Sequence, residues 1–214
     1  MRKLLWCGGS HLAHAKEAID SHFSDFKNIF WLTAGPANRD WFNSGGRYLL
    51  AGDVVEDPRT KAQVKVGEFA HIVFIGQYIN LQFFRANSQI VSRALYRAIY
   101  PFKTAPFELG GLCNHPLQLF FTNFGEQCVL MPEPMPVSDS GGEITPLKTR
   151  EYYREMLKDF CLHYNSLLAE EDPALLDENG LTFSIFQGKD RRHCNSQYWH
   201  LRMKSLRASC IIPF

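Results

Sequence analysis

The chain has 214 residues, of which 45% are hydrophobic and 14% aromatic, so it is long enough and apolar enough to bury one sizeable core. Its formal net charge of +1 argues against the strong positive field of a nucleic-acid-binding or membrane-surface protein. No stretch reaches the roughly 18 apolar residues of a membrane span, and the apolar run after Arg2 and Lys3 is too short for a secretory signal. We therefore expect a single domain over residues 1–214, located in the cytoplasm, without a nucleic-acid or membrane partner.

Short apolar runs are predicted as strands, and the amphipathic stretches between them as helices. The predicted strands are Lys3–Cys7, Asn28–Thr33, His71–Ile75, Gln127–Met131 and Leu181–Phe186. The predicted helices are about His11–Phe23, Ser88–Ile99, Leu117–Phe124 and Thr149–Leu168. Nearly continuous apolar strands are buried on both faces, so this alternation predicts an α/β fold with a mostly parallel sheet of about five strands and helices on both sides. Ligands bind such sheets at the carboxyl ends of the strands.

Three other features of the chain have less specific interpretations. Segments 36–70 and 101–116 have poor periodicity and are rich in Gly, Pro, Asn and aromatic residues, which is typical of loops that cover a site. The six cysteines show no CxxC motif or paired spacing, so we expect free thiols. A group of basic residues near the C-terminus is interpreted as the solvated face of a helix: Lys189, Arg191, Arg192, Arg202, Lys204 and Arg207.

The stretch from Cys7 to Leu12 (CGGSHL) follows the first strand and contains a candidate nucleophile, Ser10. Two glycines permit a sharp turn into the next helix, which would place the hydroxyl of Ser10 at the carboxyl edge of the sheet. Backbone N–H groups at the start of a helix are suited to stabilising an oxyanion there. One alternative is that Ser10 only caps the helix. Another is a phosphate-binding turn, although the glycines do not form GxGxxG and no P-loop lysine follows.

A nucleophilic serine needs a base, and the base needs an orienting group. Asp190 and His193 follow the last predicted strand in a DxxH pattern, which lets the carboxylate reach the imidazole. The first and last strands can end at the same edge of the sheet, so Ser10 and His193 are candidates to meet. The alternatives are an N-cap role for Asp190 and a surface position for His193.

In combination, GGSHL after the first strand and DxxH after the last resemble the SGNH (GDSL-like) hydrolase superfamily. The resemblance implies a flavodoxin-like three-layer α/β/α fold and hydrolysis or transfer of O-acyl groups, often acetyl groups on carbohydrates, without a metal or bound cofactor. It implies Ser10 as nucleophile, His193 as general base and Asp190 as the group that orients it. Gly9 stands where the superfamily usually has Asp or Asn.

The blocks that supply the oxyanion hole match the superfamily less closely. Gly35 is the nearest match to its glycine after the second strand, with Gly45 and Gly46 as rivals. The turn after the third strand has Tyr78 at the position of the usual asparagine, and one lost oxyanion donor typically costs about 10²–10³ in rate. An impaired SGNH-like protein that binds a glycan or a protein partner is therefore the alternative function. The candidates for binding the oxyanion or the substrate are Gly9, Gly35, Gln77, Tyr78 and Asn80.

Other sites have weaker support. His11, His14 and His22 have no carboxylate at ligand spacing, so no metal site is predicted. Cys7 is a rival nucleophile, but its position inside an apolar run indicates the core. A nucleotide site at the two glycines would need an acidic residue after the second strand, and NIFWLTAGP has none. The expected partner is a small-molecule or glycan ester, with an acyl-coenzyme A donor if the reaction is a transfer.

Overall fold

The computed structural model describes residues 1–32, 49–51, 54–56, 63–76, 115–135, 147–189, 193–209 and 211–212. Within these ranges the strands are β1 (Lys3–Gly8), β2 (Lys27–Leu32), β3 (Leu49–Ala51), β4 (Val54–Glu56), β5 (Gln63–Lys65), β6 (His71–Ile75), β7 (Cys128–Met131) and β8 (Leu167–Leu168). The helices are α1 (Ser10–His22), α2 (His115–Phe124), α3 (Leu147–His163) and α4 (Ser196–Ala208). In this part of the chain no helix is long and apolar enough to cross a membrane.

Five strands form a parallel sheet in the order β2-β1-β6-β7-β8. Numbered along the chain, these five strands have the order 2-1-3-4-5, which is the flavodoxin-like arrangement. Sheets of this order bind ligands at the switch point between their first and third strands. In this protein the switch point lies between the carboxyl ends of β1 and β6, which are followed by Gly9 and Gly76.

Helices cover both faces of this sheet, and each face has its own core. Residues of β1 alternate between the two cores: Leu5 and Cys7 pack with α2 and α3, whereas Leu4 and Trp6 pack with α1 and α4. Strands with apolar residues at every position therefore lie in the middle of three layers. The predicted α/β class, the three layers and the mostly parallel sheet are confirmed.

The predicted fifth strand, Leu181–Phe186, is wrong. Its last three residues form a 3₁₀ turn, and Thr182 makes only an isolated bridge with Leu176. The fifth strand of the sheet is instead Leu167–Leu168, which the sequence predicted as the end of a helix. The helix ends earlier because Asn165 adopts the left-handed conformation, with φ of 51°. A two-residue strand offers no periodicity from which it could be predicted.

Segment 36–70, predicted as a loop, contains a second sheet among its described residues. Strands β3, β4 and β5 pair antiparallel in that order. Each has only three residues, too few for alternation to be visible in the sequence. The predicted helix Ser88–Ile99 lies outside the described residues.

Candidate active site

The turn from β1 into α1 depends on two glycines. A Cβ atom on Gly8 would lie 2.7 Å from the carbonyl oxygen of Ile75 and 2.8 Å from Cβ of Leu12, so only glycine fits between β6 and α1. Gly9 is the N-cap of α1, and its carbonyl oxygen accepts a hydrogen bond of 3.2 Å from the N–H of Ala13. Ser10 is consequently the first residue of the helix, at the carboxyl edge of the sheet.

Ser10 does not cap the helix, so that interpretation is wrong. The cap position belongs to Gly9, which has no side chain, and α1 has no side-chain cap hydrogen bond. The first turn also contains no acidic residue that would neutralise the positive end of the helix dipole. The side chain of Ser10 is exposed. An accessible hydroxyl therefore lies next to N–H groups that no cap side chain occupies.

His193 lies against the first turn of this helix. Its imidazole ring stacks on that of His14, with ring centroids 4.4 Å apart and an interplanar angle of 26°. It meets the ring of His11 edge-on, with centroids 4.9 Å apart. The structure thus brings His193 to the end of α1 where Ser10 lies, although the described side chains of Ser10 and His193 share no hydrogen bond. Catalytic hydrogen bonds often form only when substrate is bound.

The loop that carries His193 is closed by a short backbone bridge. The N–H of Gly188 donates to the carbonyl oxygen of His193 at 2.7 Å, and Gln187 pairs with Cys194. Asp190 falls between Gly188 and His193 in the sequence and lies outside the described residues. Asn195 caps α4, because its Oδ1 accepts a 3.1 Å hydrogen bond from the N–H of Tyr198. The alternative in which Asp190 caps that helix is therefore wrong.

The end of β6 also contacts the first turn of α1. Gly76 has φ of +58°, and a Cβ atom there would lie 2.8 Å from Cδ2 of His11. A glycine is thus needed both for the backbone conformation and for the space. The positions predicted to complete the oxyanion hole lie outside the described residues: Gly35, Gln77, Tyr78 and Asn80.

Glu133 is a neighbour of the site to which the sequence assigned no role. Its Oε2 lies 3.9 Å from Nε2 of His11, and both side chains are largely buried, with 28% and 15% exposed. The carboxylate comes from the segment after β7, far from His11 in sequence, so a search for local ligand spacing could not find it. Among the described residues no group of three His, Cys, Asp or Glu side chains is arranged to hold a metal ion.

A buried polar network fixes the segment that carries Glu133. Arg202 of α4 donates from Nη1 to the hydroxyl of Tyr198 at 2.7 Å and lies 3.3 Å from Oε1 of Glu171. Its Nη2 donates to the carbonyl oxygen of Pro132 at 3.1 Å. The hydroxyl of Tyr198 donates to Glu171, whose Oε2 accepts the N–H of Met135 at 3.1 Å. The backbone on either side of Glu133 is therefore held by α4 and Glu171.

Two predictions about these regions are settled by burial. Arg202 is only 2% exposed, so the basic residues near the C-terminus do not all lie on a solvated helix face. Burial raises the pKa of the Cys7 thiol far above its ordinary value, which fits a core residue and not a nucleophile. The four cysteines that the structure describes are free thiols, as expected: Cys7, Cys128, Cys161 and Cys194.

Comparison with known proteins supports the fold. No family model matches the chain, and no curated protein matches it. A proposed acylhydrolase from Bacteroides fragilis is similar in structure, with TM-score 0.53 and 11% identity, over 98% of this chain and 88% of that one. A GDSL-like lipase from Bacteroides thetaiotaomicron gives TM-score 0.50 and 12% identity, over 98% and 87% of the two chains. A proposed lipolytic protein of the G-D-S-L family from Desulfitobacterium hafniense gives 0.50 and 11%, over 99% and 100%.

At these identities the similarity is one of fold. The chain shares with those proteins the flavodoxin-like α/β architecture that the resemblance of its motifs implied.

Proposed function

We propose that this chain is a serine-dependent O-acyl ester hydrolase or O-acyltransferase that acts on acetyl or other short acyl esters of a carbohydrate. Ser10 is the nucleophile, His193 the general base and Asp190 the residue that orients His193. One observation carries the proposal: an exposed serine begins α1 at the switch point of the sheet, and the imidazole of His193 lies against the same helical turn.

The start of α1 suits the stabilisation of a developing oxyanion. The first N–H groups of a helix have no partner within the helix, and here no cap side chain accepts from them. In this proposal the N–H of Ser10 supplies one hydrogen bond to the oxyanion. Gly9, Gly35 and a side chain from Gln77 or Asn80 complete the hole, and Tyr78 contributes to substrate binding.

The proposed reaction has two half-reactions. His193 removes the proton of the Ser10 hydroxyl as Oγ attacks the ester carbonyl carbon, and the negative charge develops on the carbonyl oxygen. Collapse of this tetrahedral intermediate breaks the bond to the alcohol, which leaves with the proton from His193. A water molecule or an acceptor hydroxyl then loses its proton to His193 and attacks the acyl-serine. Its product leaves, and the proton returns to Ser10.

The direct experiment compares p-nitrophenyl acetate turnover by the wild type, Ser10→Ala and His193→Ala. We expect both variants to lose at least about 10³-fold in rate, because each removes a member of the proposed triad. Ser24→Ala and His163→Ala are matched controls, since both side chains are exposed, Ser24 in the turn after α1 and His163 at the end of α3. Circular dichroism establishes that each variant is folded.

A strict transferase would hydrolyse this ester slowly, so the nucleophile is also tested by covalent labelling. A fluorophosphonate probe should modify the peptide that contains Ser10, and His193→Ala should suppress the labelling. Equal turnover in all five proteins, together with no labelling of Ser10, would refute the proposed mechanism.

A further inference from the structure

A pocket of about 350 Å³ opens at the same edge of the sheet, beside the carboxyl ends of β7 and β8. Its walls include Pro132 after β7, Leu168 at the end of β8, Arg154 of α3 and the segment from Glu170 to Gly180. The volume is at the lower end of the range for small-molecule sites. With β6, β7 and β8 following β1 across the sheet, a strand spacing of about 4.8 Å places the pocket about 10–14 Å from the end of β1.

Arg154 gives the pocket an unused hydrogen-bond donor. Its Nη2 is buried and has no hydrogen-bond partner among the described residues. The guanidinium lies against Gly180, where a Cβ atom would come within 3.4 Å of Nη2 and where φ is +69°. A buried donor without a partner is unfavourable, so this arrangement gains from any ligand that supplies an acceptor.

The carboxylates around the pocket are mostly held by the protein. Glu170 lies 3.1 Å from Nζ of Lys158, and Glu171 is paired with Arg202. Oδ1 of Asp177 accepts backbone N–H groups of the following turn at 2.8 and 3.0 Å. These acidic side chains offset the positive charge of Arg154, so the pocket as a whole is not positively charged. An anionic ligand is therefore disfavoured.

Donor and acceptor groups therefore line one small site that also has apolar walls. A guanidinium needs an acceptor, and a carboxylate needs a donor. A hydroxyl group is both, and it carries no charge that either would repel. The set of side chains fits a neutral, polyhydroxylated ligand better than a carboxylate, a phosphate or an ammonium group.

We propose that this pocket binds a neutral glycosyl residue, with Arg154 as its main donor. A second part of this proposal rests on the proposed function: the glycosyl residue belongs to the ester substrate, whose acyl group lies at Ser10. Because the pocket and the end of β1 are separated by two to three strands, such a substrate is an ester of an oligosaccharide and not of a single sugar.

Direct binding tests the pocket independently of catalysis. The full chain is titrated calorimetrically with xylotriose, maltotriose and N,N′,N″-triacetylchitotriose, and with trigalacturonate as the anionic comparison. We expect one or more neutral trisaccharides to bind, and Arg154→Gln to weaken that binding at least about 10-fold, as expected for one charged hydrogen bond. Lys204→Gln is the control, because it removes the same charge from an exposed position on α4. Failure of every neutral trisaccharide, equal binding by Arg154→Gln, or tighter binding of trigalacturonate would overturn the proposal.

A second measurement uses the wild-type protein, so it is informative even if Arg154→Gln does not fold. Met135 lines the pocket, whereas Met203 is buried in the core on the opposite face of the sheet. With ¹³C-methyl methionine, the trisaccharide that binds should shift the resonance of Met135 and leave that of Met203 unchanged. A shift at Met203 alone, or at neither residue, would place the ligand elsewhere.

Ser10→Ala separates the two proposals. It should bind the trisaccharide as the wild type does, and the control variant Lys204→Gln should hydrolyse p-nitrophenyl acetate at the wild-type rate. If turnover proves independent of Ser10 but the trisaccharide still binds through Arg154, the catalytic proposal fails and the pocket stands. If Ser10 is essential and no trisaccharide binds, the pocket proposal fails alone.

Discussion

Replacement of Arg202 by methionine should destabilise the protein strongly, although the sequence predicts that Arg202 belongs to a group of solvent-exposed basic residues. Its guanidinium is paired with Glu171, and the two side chains are only 2% and 6% exposed. Arg202→Met removes the cation and leaves the carboxylate of Glu171 buried without its ionic partner. It also removes the hydrogen bonds to the hydroxyl of Tyr198 and to the carbonyl oxygen of Pro132.

The expected loss of folding free energy follows from the burial of this ion pair. Breaking a buried ion pair by removal of one partner typically costs about 3–5 kcal/mol. In a domain of this size each kcal/mol corresponds to about 2–4 °C in Tm, so Arg202→Met should melt about 6–20 °C below the wild type.

The chain offers a matched control one residue away. Glu170, next to Glu171, pairs with Lys158 at 3.1 Å, and both side chains are 54% exposed. An exposed pair contributes about 0–1 kcal/mol, so Lys158→Met should lower Tm by no more than about 4 °C. Thermal and urea denaturation followed by circular dichroism measure both variants. Equal shifts for the two variants, or a loss below about 1 kcal/mol for Arg202→Met, would refute the view that burial makes the first pair essential.

Three further outcomes follow from caps and from shifted pKa values. Asn195→Ala should cost about 1 kcal/mol because Asn195 caps α4, whereas Ser10→Ala should leave the urea midpoint almost unchanged since Ser10 is not a cap. Burial, followed by two neighbouring side chains of α4, lowers the pKa of His22 below 6.5. As pH falls, this histidine therefore binds a proton in the unfolded chain at a higher pH than in the folded protein, so the free energy of unfolding should decrease below pH 6.5. The decrease should be less steep in His22→Asn than in the wild type. Burial raises the pKa of Cys161 to about 11 and of Cys194 to about 12. The free energy of unfolding should consequently decrease as pH rises above 9. Labelling with iodoacetamide at pH 8, followed by mass spectrometry, should find both thiols unmodified in the native protein and modified in urea.

The sequence alone determined four of the five strands of the central sheet and the glycine turn before Ser10. Lys3–Cys7 and His71–Ile75 are uninterrupted apolar runs, and such runs are strands that helices cover on both faces. The two glycines before Ser10 were interpreted as a sharp turn, and a Cβ atom on Gly8 would indeed meet Cβ of Leu12 within the same motif. Apolar runs and glycine turns of this kind depend largely on neighbouring residues, although the second contact of Gly8, with the carbonyl oxygen of Ile75 in β6, exists only in the folded protein.

Features that depend on distant contacts were decided only by the tertiary structure. Leu167–Leu168 is a strand because β7 offers it a parallel partner, not because two leucines favour one. Arg202 is buried because Glu171, from another part of the chain, supplies its counter-charge. The environment of His193 is likewise made by His11 and His14, which are about 180 residues away in sequence. Hydrophobic periodicity records which face of an element is buried, but it carries no information about which polar side chains meet there, since those pairings depend on how separate elements are brought together.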